Sequence, residues 1–212
     1  MGIDERGREI LTFIDGEVAT RPWPAWVADD ERATSVARLL RRLDDALIPF
    51  GLPPGSPNRK ERPTLAARPG PAATFIGHRD VTPENTVFRD GVAVALIDFD
   101  LARPSSRVDE VANLLLWWGG WLAPKDRDAV LYDVDPASRG RLLVDAYGLG
   151  GDERRWIVPV SIAIAGRSWH SMRERAATHG GGWARMWDNG SVTSSNDASS
   201  GCATTRTSCT GL

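Results

Sequence analysis

Asp80, Asn85 and Asp98 carry oxygen donors at spacings that suit phosphoryl transfer. Asp80 can orient a substrate hydroxyl and accept its proton, while the amide oxygen of Asn85 and the carboxylate of Asp98 can hold Mg²⁺ against nucleotide phosphates. The chain around them reads His78-Arg79-Asp80-Val81-Thr82-Pro83-Glu84-Asn85 and, after a short hairpin, Ile97-Asp98-Phe99-Asp100. Plainer roles exist for each. Asp80 can cap loop backbone, and Asn85 can end the loop through its own backbone hydrogen bond. Asp98 closes an apolar strand, where an unpaired carboxylate is costly and a metal would offset the cost. Asp100 points to the same side as Asp98 if the strand continues, either as a further ligand or as a partner of Arg103 or Arg107. His78 reads as a brace for the loop, and Arg79 either pairs with an acid or is solvated.

The elements that must position these residues can be read from spacing. Ala73 to Gly77 form a short buried strand leading into the His78 segment. Thr86-Val87-Phe88 and Val92 to Ile97 flank Arg89-Asp90-Gly91, and an Asp-Gly between apolar runs signals a hairpin. That hairpin folds Asn85 back towards Asp98. Upstream, residues 8–14 read as a strand closed by Asp15-Gly16. Asp29 or Asp30 caps a helix running to about Ile48, with Val36, Leu39, Leu40, Leu43 and Leu47 on one face. Residues 51–72, rich in proline and glycine, form a connector. Helices are predicted over 109–122, 136–147 and 152–177, the last kinked at Pro159. Asp109 and Glu110 open the first of these, where they either brace the catalytic loop or simply favour a helix N-terminus. Trp117, Trp118 and Trp121 read as core. Asp126, Asp128, Asp133 and Asp135 either attract a cationic substrate or are solvated surface.

Composition narrows the classes. The 212 residues carry a net charge of −2, so no global field favours nucleic acid or an anionic membrane. No apolar run is long enough to span a bilayer. Cys202 and Cys209 both lie near the end, which excludes a disulfide framework and fits a cytoplasmic protein. Beyond Gly190 the chain is rich in Ser, Thr and Gly and is expected to be disordered.

Residues 73–120 resemble the catalytic core of the aminoglycoside phosphotransferase family of kinase-like enzymes. The likeness rests on His78, Asp80 and Asn85 in a H-R-D-x-x-x-x-N block and on Ile97-Asp98-Phe99-Asp100-Leu101-Ala102, where Asp98 stands at the metal-binding position of D-F-G. Residues 4–17 resemble the family's last N-lobe hairpin and hinge, and Leu39 to Ala46 its first C-lobe helix, where His is common at the position of Asp44. The resemblance implies an α+β fold: a mostly helical kinase-like C-terminal lobe over 18–189 with a small catalytic hairpin. Residues 1–17 would be a remnant of the N-lobe, and 190–212 a tail. It also implies ATP- or GTP-dependent transfer of phosphate to a hydroxyl of a small molecule, with Asp80 as base, Asn85 and Asp98 holding Mg²⁺, and His78, Asp109 and Glu110 supporting the loop.

The chain departs from the family in lacking a phosphate-covering glycine-rich loop. Gly180-Gly181-Gly182 reads as a linker, and the only lysines, Lys60 and Lys125, do not stand on strands. A mis-called start and a shifted reading frame near residue 190 would account for both ends. Two alternatives follow. One is a catalytically inactive kinase-like fragment that binds a small molecule or is completed by a partner supplying the N-lobe, with Phe13 and Ile14 on the exposed face. The other is a metal-dependent phosphoesterase using His78-x-Asp80 and Asp98-x-Asp100 as ligand pairs, with His170 and His179 as further ligands.

Overall fold

The computed structural model describes residues 2–56, 69–181 and 184–185. The chain is α+β, and among the described residues helices supply most of the framework beside three separate two-stranded antiparallel sheets. Strand β1 (Gly2–Ile3) pairs with β2 (Glu9–Ile10). The Asp4 carboxylate turns the chain between them by accepting from the amides of Arg6 and Arg8. The strand predicted over 8–14 is therefore only two residues long. Its partner is equally short, and Leu11 and Phe13 remain 70% and 86% exposed, so the apolar alternation gains no burial among the described residues.

Helix α1 (Asp30–Leu47) is capped by the Asp29 carboxylate, which accepts from the Glu31 amide. Its buried stripe runs Ala33, Val36, Ala37, Leu40 and then Asp44. The stripe thus ends on a carboxylate rather than on an apolar residue. Strand β3 (Phe75–Gly77) falls inside the predicted strand and pairs with β6 (Arg103–Ser105), which the sequence did not reveal because Arg-Pro-Ser has little strand character. Strands β4 (Thr86–Arg89) and β5 (Val92–Leu96) form the expected hairpin. Asp90 and Gly91 make its two-residue turn with φ of 51° and 76°, the left-handed geometry for which Asp-Gly is suited. Glu17 and Phe88 exchange two backbone hydrogen bonds of 2.8 and 2.7 Å, tying the upstream segment to this hairpin.

Helix α2 (Arg107–Trp118) starts two residues earlier than predicted because Ser106 and Asp109 form a reciprocal capping box. It stops at Gly119, where the chain turns through Gly120 at φ 69°. Helix α3 (Pro136–Tyr147) has its predicted bounds, capped by Asp135 and closed by left-handed Gly148. The kinked helix predicted over 152–177 is instead two helices, α4 (Gly151–Arg154) and α5 (Ile157–His179). The break precedes Pro159, which then lies in the first turn of α5, where a missing amide hydrogen costs no helical bond. The predicted tail beyond Gly190 lies outside the described residues. Among the described residues, no helix is long and apolar enough to cross a membrane.

The core lies where α1 packs on α3 and α2 on α5, filled by Leu40, Phe88, Leu114, Leu115, Trp118, Trp121, Tyr147 and Ile157. Trp118 and Trp121 are buried, and Trp117 packs edge-on against Trp23, so the tryptophan cluster is core. A buried Arg139 joins the pieces. Its guanidinium donates to the carbonyls of Val27, Ala28 and Trp118 at 3.0, 2.8 and 3.2 Å and pairs with Asp30. Replacing Arg139 with Leu strands three carbonyl acceptors, and the expected loss is about 3 kcal/mol of unfolding free energy in urea titration. A loss below about 1 kcal/mol would show that water or a rearranged neighbour takes over these acceptors.

Candidate functional site: the His78–Asn85 loop and the hairpin base

The loop after β3 is held mainly by its backbone. Val81 donates its amide to Asn113 Oδ1 at 2.8 Å, and its carbonyl accepts from Trp118 Nε1 at 3.0 Å. Arg79 donates its amide to Glu110 Oε2 at 3.2 Å. All three side chains belong to α2, at positions 110, 113 and 118, along one buried flank of that helix. Glu110 also accepts from the Ser105 hydroxyl, so its carboxylate is fixed between β6 and the loop. The Arg79 guanidinium is buried beside Asp109 and Glu110, 3.5 and 3.9 Å away. Asp109 thus faces both its own helix cap and this arginine, while Glu110 reaches the loop backbone.

His78 is fully buried. Nδ1 accepts from the Asp80 amide at 3.2 Å, which leaves Nε2–H to donate to the Ile97 carbonyl at 3.0 Å. Burial pushes its pKa down, which favours the neutral ring this pattern needs. The ring lies against Phe99, with centroids 4.4 Å apart. His78 therefore connects the loop to the far end of the hairpin, and both ring nitrogens are engaged with backbone. Neither is available to a metal, which removes the first ligand pair of a phosphoesterase. His179 contacts Thr178 at the end of α5, and the His170 side chain is outside the described residues.

Asp80 and Asn85 meet directly. Asn85 Nδ2 donates to the Asp80 carbonyl at 3.1 Å and to Asp80 Oδ2 at 2.9 Å. A carboxylate and a carbonyl can only accept, so the amide nitrogen must face Asp80 and Asn85 Oδ1 is directed elsewhere as an acceptor. The turn that places Asn85 is closed by Thr82, whose hydroxyl accepts from the Asn85 amide. Across the hairpin base, the Ile97 amide donates to the Asn85 carbonyl at 2.9 Å, which sets Asp98 one residue beyond that contact. Asp98 is exposed and takes a left-handed conformation, φ 63°, as does Arg79 at 66°. Two non-glycine residues in this region within one small cluster mark a backbone held by its surroundings. Asp100 is exposed on the following turn, and Arg107 pairs with Asp45 of α1.

Burial pushes the Asp80 pKa up to about 6, and the charge of Asp98 pushes in the same direction. The Asn85 hydrogen bond opposes both. The Asp98 carboxylate is thus near enough for its charge to act on Asp80. Asp128 and Asp135 do not contribute to it. Both accept helix-capping bonds, from Val130 and Ser138.

Residues 59–143 match the family model described as "APH: Phosphotransferase enzyme family". The chain is also 36% identical over 177 residues to a trifolitoxin immunity protein of Rhizobium leguminosarum bv. trifolii, covering 77% of this chain and 61% of that protein. The central part of the chain is thus similar to the phosphotransferase enzyme family. It spans about three-fifths of the length of the curated relative it matches. No solved structure matches it.

The sequence pointed to His78, Asp80, Asn85, Asp98, Asp109 and Glu110, and the fold gathers them around one loop. Reading the sequence missed Gly77, Asn113 and Trp118. The signal for Asn113 was present: it interrupts the otherwise apolar run Val111 to Trp118 and follows Glu110 at a three-residue step, placing two polar groups on one helix face. Gly77 has no such signal. A Cβ built there would lie 2.1 Å from Glu110 Oε1 and 2.7 Å from Ser105 Cβ.

Two outcomes follow from this geometry. Gly77→Ala forces the Glu110 carboxylate off the Arg79 amide, and unfolding titrations should show a loss of about 2 kcal/mol or more, with the Arg79 amide losing exchange protection first. In metal-free buffer, Asp98→Asn should lower the Asp80 midpoint seen by carboxyl carbon NMR, because a neighbouring negative charge is removed. An unchanged or higher midpoint would contradict the proximity of the two groups.

Proposed function

We propose that the chain is the catalytic portion of a small-molecule phosphotransferase, a mostly helical kinase-like C-terminal lobe that transfers the terminal phosphate of ATP or GTP to a substrate hydroxyl in the cytoplasm. The observation that carries this is the Asp80–Asn85 contact. It fixes a carboxylate of raised pKa and leaves the amide oxygen of Asn85 free of that contact as an acceptor.

The donor set supports Mg²⁺. Asn85 Oδ1 and the Asp98 carboxylate are hard oxygen donors, and a cation beside two mutually repelling carboxylates would relieve that repulsion. When bound, Mg²⁺ would neutralise phosphate charge. Asp80 would accept the hydroxyl proton as the hydroxyl oxygen bonds to the terminal phosphorus and the bond to the nucleoside diphosphate oxygen breaks. A pKa near 6 leaves Asp80 mostly ionised at neutral pH yet still basic enough to take a proton. The His78 brace and the α2 anchors would fix the Asp80 carboxylate, and orientation of this kind supplies much of the rate in phosphoryl transfer.

The immunity protein's name supports protection against a toxic compound as one role for such a transferase. A non-catalytic role is the second reading. Ile3, Ile10, Leu11 and Phe13 are strongly exposed along the first hairpin and the segment after it, an apolar edge suited to a partner that completes the nucleotide site.

Calorimetry with ATP and GTP, each with and without Mg²⁺, separates these readings. The proposed function predicts Mg²⁺-dependent binding that Asp98→Ala weakens at least tenfold. It also predicts nucleotide turnover that Asp80→Asn lowers by about 10²-fold or more while binding persists. Binding that is equal with and without Mg²⁺, or turnover that survives Asp80→Asn, would refute it.

A further inference from the structure

The exposed large apolar side chains fall mainly into two groups. Ile10, Leu11, Phe13 and Ile14 lie in a run that begins in β2 and continues as irregular chain. Val92, Val94, Ile97 and Phe99 lie along β5 and just beyond it. Single apolar residues on a surface need no explanation, but grouped ones mark a contact. The second group borders a groove of about 280 Å³ between α1 and β5, lined by Leu39, Leu43, Val94, Leu96 and Phe99 together with Arg42. The groove is open to solvent and smaller than the ~300–1,000 Å³ of sites that enclose a small molecule, so it suits the side chains of a polypeptide segment.

Charge identifies the segment that fits. Of the arginines on α1, Arg32 pairs with Glu17 and Arg41 with Asp45. Arg38 and Arg42 are exposed one helical turn apart, and neither has an ionic or hydrogen-bonding partner among the described residues. The run Glu9-Ile10-Leu11-Thr12-Phe13-Ile14-Asp15 has the opposite character, apolar between two acids and without a base. The Glu9 and Asp15 carboxylates are also exposed, and they too lack a partner among the described residues. Within one chain this run is held away from the groove. Glu17 is bonded to Phe88 on the β4 side of the hairpin, and the Asp15 carbonyl accepts from Arg89 beside the hairpin turn. The groove lies on the other side, along β5, and reaches Phe99 beyond the hairpin base.

We propose that residues 9–15 of one protomer dock in the α1–β5 groove of a second copy, and reciprocally, so that the chain forms a twofold dimer. Leu11 and Phe13 fill the groove against Leu39, Leu43 and Phe99, and the unpaired Arg38 and Arg42 meet the two acids of the docked run. The contact is isologous, so it closes at two copies and does not propagate. Phe99 also packs on His78 and follows Asp98, so the docked run lies beside that end of the candidate site.

The test is sedimentation velocity of the full chain over a range of concentrations, without nucleotide. The expected result is a monomer–dimer equilibrium that weakens as salt is raised. Phe13→Asp, at an exposed position, should weaken the dimer by about tenfold or more. Reversing the charges on either surface, as Arg38→Glu with Arg42→Glu or as Glu9→Arg with Asp15→Arg, should weaken it by a similar factor. The two reversed variants mixed together should dimerise again, because each contact in the mixed dimer then joins opposite charges. Mixing would not repair a folding defect, so recovery shows that the loss came from the contact. A chain that stays monomeric at every concentration would overturn the proposal. So would a dimer that Phe13→Asp or the charge reversals leave intact, or reversed variants that fail to complement each other.

Discussion

The amides of Arg79 and Val81 and the Val81 carbonyl are served by Glu110, Asn113 and Trp118, three side chains of one helix. Loop backbone buried this deeply must find partners for its polar groups, because each one left unmade costs about 1–3 kcal/mol. Helix α2 provides them, and its own position is set by the Ser106–Asp109 cap and by packing on α5. The orientation of Asp80 is therefore inherited from a helix core. The close approach that makes this possible needs a residue without a side chain at Gly77. The left-handed backbone at Arg79 costs on the order of 1 kcal/mol, which the anchors on either side offset.

Electrostatics at the site follow from the same construction. The hairpin turn at Asp90-Gly91 and the His78–Ile97 bond bring the two ends of the motif together, so Asp80 and Asp98 feel each other's charge. In an unconstrained chain, two carboxylates would move apart. Here Asp80 is tied to Asn85, and Asp98 follows an amide bonded to the Asn85 carbonyl, so the repulsion is retained. The charge of Asp98 thus helps to raise the Asp80 pKa, and a repulsion of this sort favours a cation, the two properties that support the proposed chemistry.

Local patterns carried a good part of the fold. The Asp29 cap, the Asp-Gly hairpin and the bounds of α3 were legible because each depends on residues close in sequence. Strand β6 was not, since its pairing with β3 is a tertiary contact that overrides weak propensity. The break before Pro159 was misplaced because periodicity runs through residues 152–177 without a gap, and only the cap geometry tells a kink from a new start. Leu11 and Phe13 look like a strand face but find no surface to cover them among the described residues. At the site, the side chains that could do chemistry were readable by type and spacing. The residues that hold them were less so: Gly77 matters for the space above it, and Asn113 and Trp118 for the backbone they reach.

The central claim is that Asn85 and Asp98 share one divalent cation beside Asp80. Substituting Mn²⁺ for Mg²⁺ tests this directly, because a bound paramagnetic ion broadens NMR signals steeply with proximity. The account predicts that sub-stoichiometric Mn²⁺ with nucleotide first broadens the Asn85 side-chain amide and the Asp80 and Asp98 carboxyl signals, and that excess Mg²⁺ restores them. Broadening centred elsewhere, or none at these three residues, would contradict it.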